Sequence, residues 1–256
     1  MAVAWFRFYA ELNEFLSPDK QQKPTMRHFD VLGSVKDLIE SFGVPHTEVD
    51  LILINNQPVG FSHPVRDGDR VSVYPKFESL DISSVSKVRP SPLRALRFVL
   101  DVHLGRLASY LRMAGFDSFY RNDASDSELV TLVVRERRVL LTRDRYLLMR
   151  SDVDNGYWIR SIHPKEQLVE VVNRFRLADH VHPFTRCMKC NGVLEAVSRD
   201  AVLERLPPRV REKAEFRQCS DCGAIYWEGT HHAQMKKTLE WLMANTNPAH
   251  ASSGST

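Results

Sequence analysis

The chain has 256 residues, 43% of them hydrophobic and 26% charged, with a formal net charge of +3. That length exceeds one typical domain of roughly 100 to 150 residues, and the composition excludes collagen, coiled coil and wholesale disorder. No stretch approaches the roughly 18 consecutive apolar residues of a membrane-spanning helix, and Arg7 interrupts the opening segment before a signal-peptide core can form, so the expectation is a cytoplasmic protein with no membrane partner. The mild basic balance permits a nucleic-acid partner without establishing one.

In chain order, Val3 to Tyr9 predicts a strand, a polar loop follows around Lys20 to Pro24, and Met26 to Val31 predicts a second strand leading to Gly33-Ser34. Ser34 reads as the N-cap of a helix whose stripe is Val35, Leu38, Ile39 and Phe42, closed by Gly43 and Pro45. The run Leu51 to Ile54, the turn Asn55-Asn56, a short strand at Val59, the turn Asp67-Gly68-Asp69 and a strand over Val71 to Tyr74 complete residues 1–79. This order, ending in Asp-Gly-Asp-Arg-Val-Ser-Val-Tyr-Pro, resembles a ubiquitin-like β-grasp domain of the sulfur-carrier type, an α+β fold. Sulfur carriers end in a flexible Gly-Gly whose carboxylate is activated, whereas here Pro75-Lys76-Phe77-Glu78 runs on into more chain. The expected role is therefore a binding or packing module with a protein partner.

Residues 80–93 are rich in Ser, Pro and charge without periodicity, as in a linker. Over 94–180 strands and helices alternate: a strand from Arg97 to Leu100 ends at Asp101, and a helix stripe of Leu104, Leu107, Ala108 and Leu111 closes at Gly115. A strand near Phe119-Tyr120 precedes a helix that Ser125 or Asp126 can cap, with Leu129, Leu132 and Val133 on one side. Val139 to Leu141 is a strand ending in Thr142-Arg143-Asp144, then come a short helix, a strand near Tyr157 to Ile159, and a helix from Pro164 carrying Leu168, Val171, Val172 and Phe175. Such alternation implies a parallel sheet with helices on both faces. Residues 181–245 hold the cysteines and a final helix with Met235, Leu239 and Leu242, and 246–256 reads as a disordered tail.

In parallel α/β sheets ligands sit beyond the carboxyl ends of the strands, where Asp101 and Asp144 fall, and Asp126 and Glu128 open the intervening helix. Clustered carboxylates need a compensating cation, and Mg²⁺ or Mn²⁺ prefers oxygen ligands. Two ions held this way can activate a water and stabilise the leaving oxygen of a phosphodiester. Each acid taken alone reads first as a structural cap.

Phe98-Val-Leu-Asp-Val-His-Leu-Gly-Arg-Leu-Ala-Ser-Tyr-Leu-Arg-Met-Ala-Gly-Phe-Asp, then Asp126-Ser-Glu-Leu, Leu140-Leu-Thr-Arg-Asp and two Cys-x-x-Cys pairs together resemble the Mut-seven C-terminal RNase family. The resemblance implies an α/β PIN-like nuclease domain with an appended zinc ribbon and an N-terminal ubiquitin-like domain. It also implies a metal-dependent ribonuclease whose acids match Asp101, Asp126 with Glu128, and Asp144, with Asp152 as a further candidate. Arg106, in the first turn of the helix after Asp101, and Arg143 are candidates to position the scissile phosphate, each reading otherwise as a solvated arginine. His103 could be a base or a ligand, and Thr142 could orient a carboxylate or water, though both have structural readings. A non-catalytic RNA- or ribosome-binding adaptor of the same shape is the rival reading.

Cys187-Met-Lys-Cys190-Asn-Gly192 and Cys219-Ser-Asp-Cys222-Gly223 each put two sulfurs on one tight turn with a Gly just after. Four thiolates suit tetrahedral Zn²⁺ with no open position, a structural site, ahead of redox dithiols or an iron–sulfur cluster. Thr230-His231-His232 reads as a helix cap or an RNA contact. Tyr226 and Trp227 read as ribbon core or as base-stacking platforms.

Overall fold

The computed structural model describes residues 1–30, 33–77, 82–88, 96–212 and 215–246. Strand β1 (Ala2–Phe8) alternates, burying Ala4, Phe6 and Phe8 while Trp5 and Arg7 face solvent, which is the period of a strand with one wet face. Two 3-10 turns, Ala10–Phe15 and Pro18–Lys20, bury Leu12 and Phe15 before β2 (Thr25–Phe29), so part of the loop region carries core. The expected second strand thus ends at Phe29, and Val31 lies outside the described residues. Helix α1 (Val35–Glu40) starts where Ser34 accepts the Asp37 N–H, while the Asp37 carboxylate accepts the Ser34 N–H, a complete capping box.

Strands β3 (Val49–Ile54), β4 (Gln57–Pro58) and β5 (Arg70–Pro75) complete a five-stranded mixed sheet in the order β2-β1-β5-β3-β4, with β1 and β5 parallel. Asn55 and Asn56 both take positive φ, 49° and 68°, which gives the β3–β4 turn the twist its flanking strands require. The short strand expected at Val59 falls one residue earlier, although the Val59 N–H still donates to Ile52 O. The core is built on Phe6, Phe8, Leu12, Ile39, Ile52 and Val73. Of the expected linker, residues 80, 81 and 89–93 lie outside the described residues. Within 82–88, Val88 joins that core and the Ser86 hydroxyl donates to Asp50 O at 2.6 Å, so this stretch packs where a solvated tether is expected.

The middle of the chain alternates strand and helix: β6 (Phe98–Leu100), α2 (Gly105–Met113), β7 (Ser118–Phe119), α3 (Asp126–Glu136), β8 (Val139–Thr142), α4 (Arg145–Leu148), β9 (Gly156–Trp158) and α5 (Pro164–Arg174). This is a parallel sheet with helices, in which β6 pairs β7 and β8 pairs β9. Every residue of β6 and β8 is buried, the continuous apolar pattern of strands covered on both faces. The last part is an antiparallel three-stranded sheet, β10 (Leu194–Val197), β11 (Phe216–Cys219) and β12 (Ile225–Trp227), with α6 (Arg199–Val202) between β10 and β11 and α7 (Thr230–Asn245) after β12. Helix α7 buries Leu239 and Leu242 as its apolar spacing predicts; of the expected tail 246–256, Thr246 is buried with its hydroxyl donating to Met243 O, and 247–256 lie outside the described residues.

By contacts the chain forms two compact units, Met1–Arg94 with Asp126–Trp158, and Ala95–Ser125 with Ile159–Thr256. The first joins the N-terminal sheet to α3, β8, α4 and β9. The second joins β6, α2, β7 and α5 to the cysteine-bearing sheet.

Gly115 ends α2 at φ +99°, and a Cβ there would lie 2.2 Å from the His182 carbonyl oxygen. Backbone cannot yield as a flexible side chain would, so Gly115→Ala combines a steric clash with a disfavoured dihedral. It is expected to cost about 2 kcal/mol or more, read as a lower midpoint in chemical denaturation.

Candidate metal centre and carboxylate sites

In the second unit, β6 delivers Asp101 at the end of three fully buried residues, and Asp101 is itself 5% exposed. Its carbonyl accepts the Leu104 N–H at 2.9 Å, which starts the 3-10 turn Val102–Leu104 leading into α2. Gly105 opens α2 because a Cβ there would lie 2.7 Å from the Tyr120 hydroxyl, and that hydroxyl donates to Val102 O at 3.0 Å. The backbone after Asp101 is thereby tied to the end of β7. His103 and Arg106 are exposed, Arg106 in the first turn of α2.

In the first unit, Asp126 and Glu128 lie exposed in the first turn of α3. Asp126 is near enough to Arg150 to help hold its guanidinium protonated, after the larger effect of Asp152. Asp152 makes a two-pronged ion pair with Arg150, 3.2 Å on each oxygen, and that pairing lowers its pKa. Thr142 is buried at the end of β8, and its hydroxyl accepts the Asp144 N–H at 2.9 Å. Asp144 Oδ1 accepts the Tyr146 N–H at 2.8 Å and so caps α4. The cap reading of Asp144 is realised, and it fixes where the carboxylate points. Arg143 is exposed, and its carbonyl accepts the Trp158 indole N–H at 3.2 Å. The predicted acids are thus carried by both units, Asp101 on one and Asp126, Glu128 and Asp144 on the other.

The cysteines do come together. All four sulfurs lie within 4.8 Å of one another, with Cys187 to Cys222 at 3.6 Å and Cys190 to Cys219 at 3.4 Å. Tetrahedral zinc with bonds of about 2.3 Å would set sulfurs roughly 3.8 Å apart, so the donor set and its spacing fit a Zn²⁺ ion with no open position. The two knuckles reach this arrangement differently. In the second, Gly223 takes φ +67° and donates to Cys219 O, the role expected of a glycine. In the first, Asn191 takes the positive φ of 75°, while Gly192 supplies space: a Cβ on it would lie 2.7 Å from Cys219 Sγ and 2.6 Å from the Asp221 carboxylate.

Cys187 and Cys190 sit in opposite electrostatic surroundings. Burial pushes the Cys187 thiol up, but the Tyr226 hydroxyl at 3.1 Å and the backbone N–H groups of Cys190 and Lys189 more than reverse this, leaving it at about 6. Cys190 goes the other way, raised to about 12 by burial and by the neighbouring sulfurs. Burial, then Cys187, pushes the Tyr226 phenol up, which keeps it a donor to the sulfur. Tyr226 and Trp227 both pack against the ribbon's apolar groups, so the core reading holds for both and Tyr226 adds a bond to a ligand atom.

Arg112 of α2 was not singled out from the sequence. It is buried, donating to Ser118 O at 2.9 Å and to Met188 O and Lys189 O at 3.1 and 3.2 Å, and so clamps β7 to the first knuckle. Burial lowers its pKa, and the Cys187 and Cys190 sulfurs oppose that shift. An arginine between Leu111 and Met113 carries no local mark of this role, because its acceptors in the knuckle lie more than seventy residues away. At Thr230-His231-His232 the cap reading fails: Gly229 caps α7 without a side-chain bond, and His232 lies against the Phe184 ring at 4.4 Å.

Two outcomes are expected for the cysteine cluster. The purified chain should bind a single Zn²⁺, lost in Cys219→Ser, as read by metal analysis. Tyr226→Phe should keep that stoichiometry while weakening zinc about 10-fold in chelator competition, because a hydrogen bond to a ligand atom is removed and the ligand itself stays.

Two family models match the chain: Mut7-C ubiquitin over residues 1–81 and Mut7-C RNAse domain over residues 96–239. Searches of curated proteins and of solved structures gave no match. The RNAse-domain match spans more than half of the chain and takes in all four predicted acids and all four cysteines, and with the N-terminal match it leaves residues 82–95 and 240–256 uncovered. The chain belongs to the Mut7-C RNase family and carries that family's ubiquitin-like domain at its N-terminus.

Proposed function

We propose that the chain is a metal-dependent ribonuclease that hydrolyses RNA phosphodiester bonds, with Asp101, Asp126, Glu128 and Asp144 as its catalytic carboxylates. Asp101, Asp126 and Asp144 are the residues that would hold Mg²⁺ or Mn²⁺, and the cysteines would hold a structural zinc. The observation that carries this reading is the RNAse-domain match over 96–239. Its chemical support is positional: Asp101 and Asp144 each follow the carboxyl end of a buried parallel strand, and Asp126 with Glu128 opens a helix. When bound, the divalent ion supplies Lewis acidity and lowers the pKa of a water.

The chain's own groups have defined work around such an ion. Asp126, Glu128 and Asp144 are exposed, so a polyanionic substrate can reach them, but their charge repels it in the absence of cations. Arg106 and Arg143 are exposed as well and offset that repulsion, and Arg106 adds its guanidinium to the positive end of α2. Asp152 is committed to Arg150, which makes it a poorer ligand than the other acids. RNA is the partner this reading requires, the ubiquitin-like module offers a surface for a protein, and the cytoplasm is the proposed compartment.

End-labelled tRNA and unstructured RNA, incubated with Mn²⁺, Mg²⁺ or EDTA, should give products only with the metals. Asp101→Asn and Asp144→Asn should each lower the rate on the order of 100-fold or more. Asparagine is as good an N-cap as aspartate, so Asp144→Asn removes charge while keeping the Tyr146 N–H bond. Parental cleavage by either variant would refute the assignment, and RNA bound but uncut by the wild-type chain would indicate an adaptor.

A further inference from the structure

The ubiquitin-like module contacts the segment that carries Asp144, and it does so through bonds directed at one loop. Trp158, the last residue of β9, is the register partner of Thr142, the last residue of β8. Its backbone N–H donates to Glu48 Oε1 at 2.7 Å, a carboxylate fully buried at the entry to β3. Its indole ring lies 4.9 Å from the ring of Phe15, and its indole N–H holds the Arg143 carbonyl. Arg145, immediately after Asp144, places its guanidinium over the Trp158 ring at 4.3 Å and the Phe15 ring at 5.0 Å, and donates to Phe15 O at 3.3 Å. Nearby, His46 Nε2 meets Val153 O at 2.9 Å.

Residues on both sides of Asp144 are therefore held from outside the β8–α4 turn that carries them. Arg143 is fixed through its carbonyl, and Arg145 is fixed through its guanidinium. Both attachments converge on Trp158, which Glu48 and Phe15 of the N-terminal module hold in turn. A four-residue helix such as α4 cannot hold its own geometry, because helix nucleation is unfavourable and so short a helix is marginal alone. Aromatic stacking of a guanidinium fixes its orientation as well as its position, which a solvated ion pair does not.

We propose that the ubiquitin-like module is a positioning element of the nuclease site, setting the Asp144 carboxylate through Phe15, Glu48, Trp158 and Arg145. This rests on the reading of Asp144 as a catalytic carboxylate. A module that acts this way must be present in cis and docked by these residues, and its contribution is to turnover and not to RNA capture. Misplacing a reacting group by about 1 Å costs on the order of 100-fold in rate, so loss of the buttress lowers kcat and leaves KM for RNA near its parental value.

The test uses the full-length chain with Mn²⁺ and two readouts, steady-state cleavage and amide hydrogen exchange over residues 142–148. Arg145→Ala is expected to lower kcat about 10- to 100-fold with KM within about 2-fold, and to speed exchange at the Tyr146 amide. Arg145→Lys should recover only part of both, since it restores a cation over the rings without the planar stack. Phe15→Leu, which keeps the core filled but removes the ring face, should reproduce part of the loss and add little to Arg145→Ala, because both act on one contact. Parental kcat and parental exchange in Arg145→Ala and Phe15→Leu would overturn the proposal. If the wild-type chain does not cut RNA, or Asp144→Asn cuts normally, the nuclease reading fails by itself. The exchange arm then still decides the buttress: unchanged protection in Arg145→Ala refutes it, and lost protection with partial Lys rescue supports it.

Discussion

Four thiolates within 4.8 Å of one another repel unless a cation sits among them, and much of the second unit is arranged around that constraint. The knuckles close only because Gly192 has no Cβ to strike Cys219 or Asp221. Once closed, the first knuckle presents the Met188 and Lys189 carbonyls to Arg112, whose guanidinium also takes Ser118 O and, at 3.5 Å, Tyr120 O. Tyr120 in turn bonds the backbone just after Asp101. A chain of hydrogen bonds thus runs from the cysteine turn to the end of β6. Burying an arginine is costly unless its donors are satisfied, so the acceptors of Arg112 must be in place for the unit to close.

The first unit depends on a different kind of burial. His46, Thr47, Glu48 and Asp50 are all buried, a density of polar groups that a small sheet would avoid if they served only its own core. His46, Glu48 and Asp50 find partners instead: Glu48 accepts from Trp158, His46 meets Glu40 Oε1 at 2.6 Å and Val153 O at 2.9 Å, and Asp50 Oδ2 accepts the Phe77 N–H at 3.0 Å. The last of these pins the chain just beyond β5. In a sulfur carrier that stretch must be free to enter another enzyme's site, whereas here it is tied to a buried carboxylate and runs on without a Gly-Gly.

Local signals made much of the fold legible. Ser34 reads as an N-cap and is one, with Asp37 completing a capping box in the structure, the pair Asn55-Asn56 marks a turn whose two positive φ values it supplies, and the apolar runs Phe98–Leu100 and Val139–Leu141 mark strands of a parallel sheet. Where the reading fell short, the deciding contact was remote. Val88 sits in a stretch that composition marks as linker, yet it fills a gap in the N-terminal core. The glycine after each cysteine pair was legible but its work was not: in the first turn Asn191 takes the positive φ, which asparagine tolerates, and Gly192 supplies space. The bonds made by Glu48, Arg112 and Tyr226 carry no local mark, because each reaches a partner thirty or more residues distant.

The same distinction applies to the acids. Their positions are local, each at a strand end or helix start, and so they can be read from sequence. What orients them is not local. Asp144 points where its bond to Tyr146 and the bond from Asp144 N–H to Thr142 direct it, and that turn is held by Trp158 and Arg145 against a phenylalanine some 130 residues earlier in the chain. Asp101 is followed by backbone tied through Tyr120 to an arginine under the cysteine turn. Each end of the chain thus supports an acid of the central segment: the N-terminal module supports the loop of Asp144, and the cysteine ribbon supports the loop after Asp101. If these acids act as proposed, their geometry needs supporting groups that are themselves fixed by packing. A middle segment with short strands and a one-turn helix cannot supply them alone, which gives a physical reason for this segment to be flanked by both modules.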